Sequence, residues 1–177
     1  GGNLGTMSNA GCDGGFTEGT VEWMRKHQYA LCTSQDYPYT GQHGACTACT
    51  GRVRVDDYEV YPRMEESTTE PGTFVETPAT EDHLAQMVTR GPTVAIISIA
   101  NTSAFSAGDV SDTTCTPPAS GAMEEPPLHS VVVYGFTTTH WLVYNSYGNA
   151  WGPNGDGTAS IARGTNAYCI GSLKILR

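Results

Sequence analysis

A chain of 177 residues with 38% hydrophobic residues can bury a substantial core, and one domain is the default at that length. Its formal net charge is -9, with 9 Lys and Arg against 18 Asp and Glu. That balance, without a basic cluster, argues against nucleic acid or an anionic membrane as the main partner.

Residues 1–15 are rich in Gly, Asn and Ser and read as loop. They open GGNLGTMSNAG, without Met or a visible signal peptide, as a processed or partial product would. FTEGTVEWMRKHQ (16–28) predicts a helix with Phe16, Thr20, Trp23 and Met24 on one face. Turns and cysteines follow to about residue 52, and then RVRVDDYEVYP (52–62) alternates as a strand does. The clearest helix is TEDHLAQMVTRGP: Thr80 caps it, Glu81 and Asp82 suit the positive end of its dipole, and Leu84, Met87 and Val88 form the buried stripe. Gly91-Pro92 stops it, and TVAIISIA (93–100) is the next strand, far too short to span a bilayer. Residues 101–128 show no strong period and predict a long functional or mobile loop. Strand signals at 130–136, 140–147, 158–163 and 172–176 suggest an antiparallel sheet or barrel.

Six cysteines favour a disulfide framework in an oxidising compartment. A zinc site or redox pair at Cys46-Thr-Ala-Cys49 competes with it. Zinc wants a second close ligand pair, which is absent, and a thioredoxin-like motif should open a helix after a strand. No metal and no cofactor are therefore expected. Asn101-Thr102-Ser103 is a glycosylation sequon, which leans the same way.

His129 heads the β-branched run LHSVVVYGF, and Asn145 ends the apolar run HWLVY. Antiparallel pairing of these neighbours could bring the two together, and an asparagine carbonyl can then accept the imidazole N–H and fix the ring's tautomer. Spacing alone leaves the plainer alternative open: a histidine satisfied by a backbone carbonyl, and an asparagine serving a turn.

LHSVVVYGF, WLVYNSYGNAWGPNGDG and IARGTNAYCIG, in that order, resemble the C-terminal half of papain-family cysteine peptidases. Upstream, GCDGG (11–15) and YPYTGQHGAC (37–46) resemble the family's Gly-Cys-x-Gly-Gly and Tyr-Pro-Tyr…Cys segments. The resemblance implies an α+β papain-like cysteine peptidase fold, incomplete. Residues 1–52 would be part of the helical left domain, and 53–177 mostly the antiparallel, barrel-like right domain. It makes His129 the catalytic imidazole and Asn145 its orienting partner. Gly14 and Gly15 would present backbone to an extended substrate. Phe16, Ile96, Leu128 and Ser130 would line an apolar specificity pocket, and Tyr147 and Trp151 would form the aromatic wall, with plain core packing as the alternative for each pocket residue. A Cys115–Cys169 disulfide is implied, Cys32 and Cys49 are left for each other, and Cys12 and Cys46 would bond cysteines of another segment.

Three departures stand out. Tyr147 replaces the family's usual Trp, and Leu128 stands where Asn or Asp is common. The segment bearing the nucleophilic cysteine is absent from these residues and is expected upstream of them. The resemblance thus implies the heavy-chain or C-terminal part of an endopeptidase acting on peptide or protein substrates, partnered by a missing N-terminal segment or light chain that carries the nucleophile. On that reading the chain by itself is inactive, and a lysosomal, vacuolar or secreted location follows. The alternative is a papain-like domain, catalysis lost, retained for binding or assembly. A serine hydrolase is remote, since no Gly-x-Ser-x-Gly elbow is present.

Overall fold

Alternating apolar positions in the C-terminal half build one sheet. The computed structural model describes residues 9–10, 14–38, 40, 42, 44–45, 49–51, 53–116 and 127–177. The expected outward bonds of Cys12 and Cys46 lie outside the described residues. The chain divides into two compact units, Gly1–Tyr58 and Glu59–Arg177.

In the first unit, α1 (Thr17–Lys26) carries Glu18 in its first turn and Arg25 and Lys26 in its last, charges that suit the helix dipole. The apolar face expected on it is largely uncovered: Met24 is buried, whereas Trp23 and Phe16 are about half exposed. β1 (Ala30–Leu31) pairs with β2 (Val53–Arg54), and a Cys32–Cys49 disulfide with Cα atoms 6.1 Å apart ties the intervening loop. The single strand expected over 52–62 is broken. Its first part joins β1, while β3 (Val60–Tyr61) belongs to the second unit. Asp57 lies in the break, its carboxylate accepting the Tyr58 amide at 2.9 Å, a local bond that competes with strand pairing.

In the second unit, β4 (Arg63–Glu66) and β5 (Phe74–Thr77) form a hairpin that the sequence reading missed. The expected helix is α2 (Glu81–Arg90), with Thr80 Oγ1 accepting the His83 amide at 3.1 Å and Leu84, Met87 and Val88 buried. β6 (Thr93–Ser98) follows, and then α3 (Thr102–Ser106) in the stretch read as loop. Asn101 caps α3, accepting the Ala104 amide at 3.0 Å, which stabilises a helix too short to leave a periodic signal. β7 (Leu128–Phe136), β8 (His140–Tyr144), β9 (Thr158–Ala162) and β10 (Ile175–Leu176) complete the sheet.

Its order is β3-β10-β6-β7-β8-β9, every neighbour antiparallel. Of the expected antiparallel sheet or barrel, the described strands form the sheet, open rather than closed, with β3 and β9 at its edges. Val131, Val133, Trp141, Val143 and Ile161 alternate onto one face and pack with Leu84 and Met87 of α2 in a single core. Among the described residues, no helix is long and apolar enough to cross a membrane.

Glu59 couples the β3 edge to α2, pairing with Arg90 and, at 3.1 Å, with Arg63. The Arg90 hydrogen bond, foremost, holds its carboxyl below the ordinary glutamate range, against the opposing effect of burial. A lowered folded-state value means a stabilisation that is complete above the ordinary range and is lost as pH falls through the folded-state value. Glu59→Gln should therefore lower the melting temperature at neutral pH and converge with the unmodified protein on acidification. Parallel melting curves across that range would refute the linkage.

Candidate active site

The β7–β8 register explains how two residues 16 positions apart meet. Val132 lies opposite Tyr144 and Val133 opposite Val143, so extending the pairing outward brings the start of β7 to the residues just after β8. The Asn145 amide continues the strand by donating to Gly157 O at 3.0 Å, which fixes the side chain's point of departure. His129 Nε2 and Asn145 Oδ1 are 2.7 Å apart.

Asn145 Oδ1 also accepts the Ser146 amide at 2.8 Å. A backbone N–H can only donate, so this atom is the carbonyl oxygen and not the amide nitrogen. The proton on the His129–Asn145 bond therefore sits on Nε2. In the neutral ring the free lone pair is then on Nδ1, the one nitrogen able to take a proton. Asn145 is 2% exposed, and its Nδ2 is buried without a hydrogen-bond partner among the described residues. An unmet buried donor costs about 1–3 kcal/mol, and such costs concentrate where a side chain is held for its chemistry.

Aromatic rings surround this pair. The Tyr147 ring lies 4.9 Å from the His129 ring, and Phe105 presents an edge-on contact to His129 at 5.8 Å. Trp151 is 4% exposed, 5.2 Å from Phe105 and 6.3 Å from Tyr147, and its indole N–H donates to Phe105 O at 2.7 Å. Burial, with smaller contributions from Asp112 and Asp109, pushes the hydroxyl of Tyr168, a neighbour of Phe105, up to about 12. Sequence reasoning missed Phe105. Its signal was the Asn101 cap immediately before TSAFS, in a stretch otherwise dominated by loop residues.

The expected pocket residues of this unit fall on two adjacent strands. Ile96 of β6 lies opposite Ser130 of β7, and Ser98 lies opposite Leu128. Strand alternation puts Leu128, Ser130 and Ile96 on one face, whereas His129 shares its side of β7 with buried Val131 and Val133. Leu128 is 52% exposed and Ile96 half-buried, so the face is apolar and open. Gly14, Gly15 and Phe16 belong to the Gly1–Tyr58 unit. Gly14 has φ +96°, a conformation that favours glycine, and a Cβ on Gly15 would collide with the Asn9 side chain. Asn9 accepts the Phe16 amide at 2.7 Å and donates to Thr20 Oγ1 at 2.8 Å, buttressing the glycine pair against α1.

Asn101, the sequon residue, is exposed while its Oδ1 caps α3. Cys115 and Cys169 are disulfide-bonded, with Cα atoms 4.6 Å apart. Among the described residues, no three His, Cys, Asp or Glu side chains are grouped to hold a metal.

A family model described as papain family cysteine protease matches residues 4–175. Human cathepsin O is 27% identical over 173 residues, covering 93% of this chain and 46% of that protein. Pro-cathepsin H of Medicago truncatula is 29% identical over 157 residues, covering 85% and 39%. The chain thus spans less than half the length of these curated relatives. The crystal structure of a cysteine protease from Carica candamarcensis in complex with E-64 superposes with a TM-score of 0.65 at 21% identity, covering 95% of this chain and 70% of that one. At that identity the likeness carries the fold alone.

Proposed function

Because the chain belongs to the papain family of cysteine proteases, we propose that it supplies the base, its orienting partner and part of the substrate cleft of a peptidase whose nucleophilic cysteine comes from residues outside these 177. The observation that carries this reading is the His129–Asn145 hydrogen bond, with Asn145 Oδ1 oriented by the Ser146 amide. It leaves Nδ1 as the proton acceptor. The cysteine thiol passes its proton to Nδ1, giving a thiolate–imidazolium pair, and the thiolate attacks the scissile carbonyl. The imidazolium then returns the proton to the leaving amine. Water, deprotonated by the same nitrogen, hydrolyses the thioester and regenerates the thiol.

The four described cysteines, Cys32, Cys49, Cys115 and Cys169, are paired in disulfides, so none of them is available as the nucleophile. The exposed Leu128 and half-buried Ile96, with Ser130 beside them, support a preference for an apolar substrate side chain. Gly14 and Gly15 would meet the substrate backbone, and Tyr147 and Trp151 would wall the leaving-group side. The disulfides suit an oxidising compartment, lysosomal, vacuolar or extracellular.

Intact mass of the native protein with and without reduction, followed by a peptidase assay on a substrate with an apolar side chain, tests the reading. A cysteine-bearing segment, on the same polypeptide or released by reduction, together with thiol-dependent hydrolysis, supports it. Native protein with no such segment and no hydrolysis would indicate a papain-like domain kept for binding or assembly.

A further inference from the structure

Phe105 occupies an unusual place for a residue of a five-residue surface helix: it is 1% exposed and touches four other aromatic rings. Its ring stands edge-on to His129 at 5.8 Å, to Tyr147 at 6.1 Å and to Tyr168 at 5.8 Å, and packs tilted on Trp151 at 5.2 Å. Its carbonyl, separately, accepts the Trp151 indole N–H at 2.7 Å. One residue thus fixes His129 through its ring and Trp151 through its backbone.

We propose that Phe105 is a positioning residue for His129. The Asn145 bond sets the tautomer but allows the ring to swing about the Nε2···Oδ1 axis. An edge-on ring opposes that swing and keeps water from the bond. Tyr147 does not suffice for this, because it is 46% exposed. Asn101, by capping α3, holds Phe105 in turn, so the end of β6 is connected to the imidazole through a single helical turn. The importance of this contact for turnover rests on the reading of His129 as the base, whereas the contact itself does not.

The test is 15N-edited NMR of the His129 imidazole in the native protein, comparing Phe105→Leu and the near-isosteric Phe105→Met with Ile161→Val. Both Phe105 variants keep the carbonyl that Trp151 uses. Ile161 is fully buried in the same core, and its substitution controls for lost stability alone. The expected result is an Nε2–H that exchanges with water about tenfold faster in either Phe105 variant, with a mixed tautomer population, and that is unchanged in Ile161→Val. Where the protein hydrolyses peptides, kcat should fall by about tenfold with KM nearly constant. If the Phe105 variants and Ile161→Val give the same imidazole exchange at matched melting temperature, Phe105 is core packing and the proposal is overturned. Native protein that lacks hydrolysis altogether would defeat the catalytic reading, and imidazole exchange would still decide the role of Phe105.

Discussion

Replacing His129 by Asn should lower peptidase turnover of the native protein by about three to four orders of magnitude, with the melting temperature nearly unchanged. On the proposed mechanism the size follows from removing the group that takes the thiol proton, so that the nucleophile must ionise unaided. The fold should tolerate the change because His129 is only half-buried at the mouth of β7, outside the packed run of Val131 and Val133. Asn145→Ala should cost less, about a hundredfold, since an imidazole remains to take the proton and what is lost is the bond that fixes its tautomer and aim. It also strands the Ser146 amide, which now donates to Asn145 Oδ1 at 2.8 Å. Steady-state kinetics on the two variants, with circular dichroism to verify folding, check both figures. Activity of His129→Asn within tenfold of the unmodified protein would remove His129 from the mechanism.

The largest expected effect on stability belongs to Glu81. Placed by sequence at the positive end of α2, it does more than offset the dipole. One oxygen accepts the indole N–H of fully buried Trp141 at 2.8 Å, and the carboxylate also receives the amides of Gly164 at 3.1 Å and Asn166 at 3.3 Å. Three donors, one of them shared between both oxygens, converge on an acceptor-only group, so an amide is a poor substitute. Glu81→Gln keeps the volume but turns an NH2 toward N–H groups, and should cost about 1–3 kcal/mol. Glu81→Ala leaves the indole and both amides without their acceptor and should cost about 3–5 kcal/mol. Urea titrations of these variants and of Trp141→Phe, combined in a double-mutant cycle, isolate the indole's share. Additive losses would mean that Glu81 and Trp141 do not support each other.

Some of this architecture was legible in the residues, and the reasons differ by element. Helix α2 announced itself through a cap, two acids and a full buried stripe. The β7–β9 meander did so through alternation and, between β7 and β8, a short turn, which are local signals. Helix α3 did not, because one capped turn has no period. The 52–62 segment misled because alternation resumes after Asp56 and Asp57, out of phase, while the pairing partners change from β1 to β10. At the site, spacing allowed His129 and Asn145 to meet but left a plainer structural reading open, and the resemblance of the flanking motifs singled them out as a pair; the strand register then accounts for their contact. The Phe105 ring, the Asn9 buttress and the reach of Glu81 to Gly164 and Asn166 depend on tertiary placement that no window of residues contains. The dipole reading of Glu81 was sound and incomplete.

The position of β10 bears on how the sheet is assembled in time. Strands β6 to β9 are sequential neighbours, so they can zip together as successive hairpin-like contacts. β10 is instead a two-residue wedge between β6 and β3, with Ile175 opposite both Ala95 and Tyr61. Until it slots in, β3 has no neighbour in the sheet, and the loop to be closed exceeds a hundred residues. Pulse-labelled hydrogen exchange during refolding should therefore protect the amides of β7 and β8 first and those of Tyr61 and Ile175 together and later. Protection of all four at one rate would mean that the wedge forms with the nucleus. A late wedge makes the last strand the latch of the domain: what reaches it early, a chaperone or a stray strand, meets an open slot between β3 and β6 at the heart of an otherwise finished sheet.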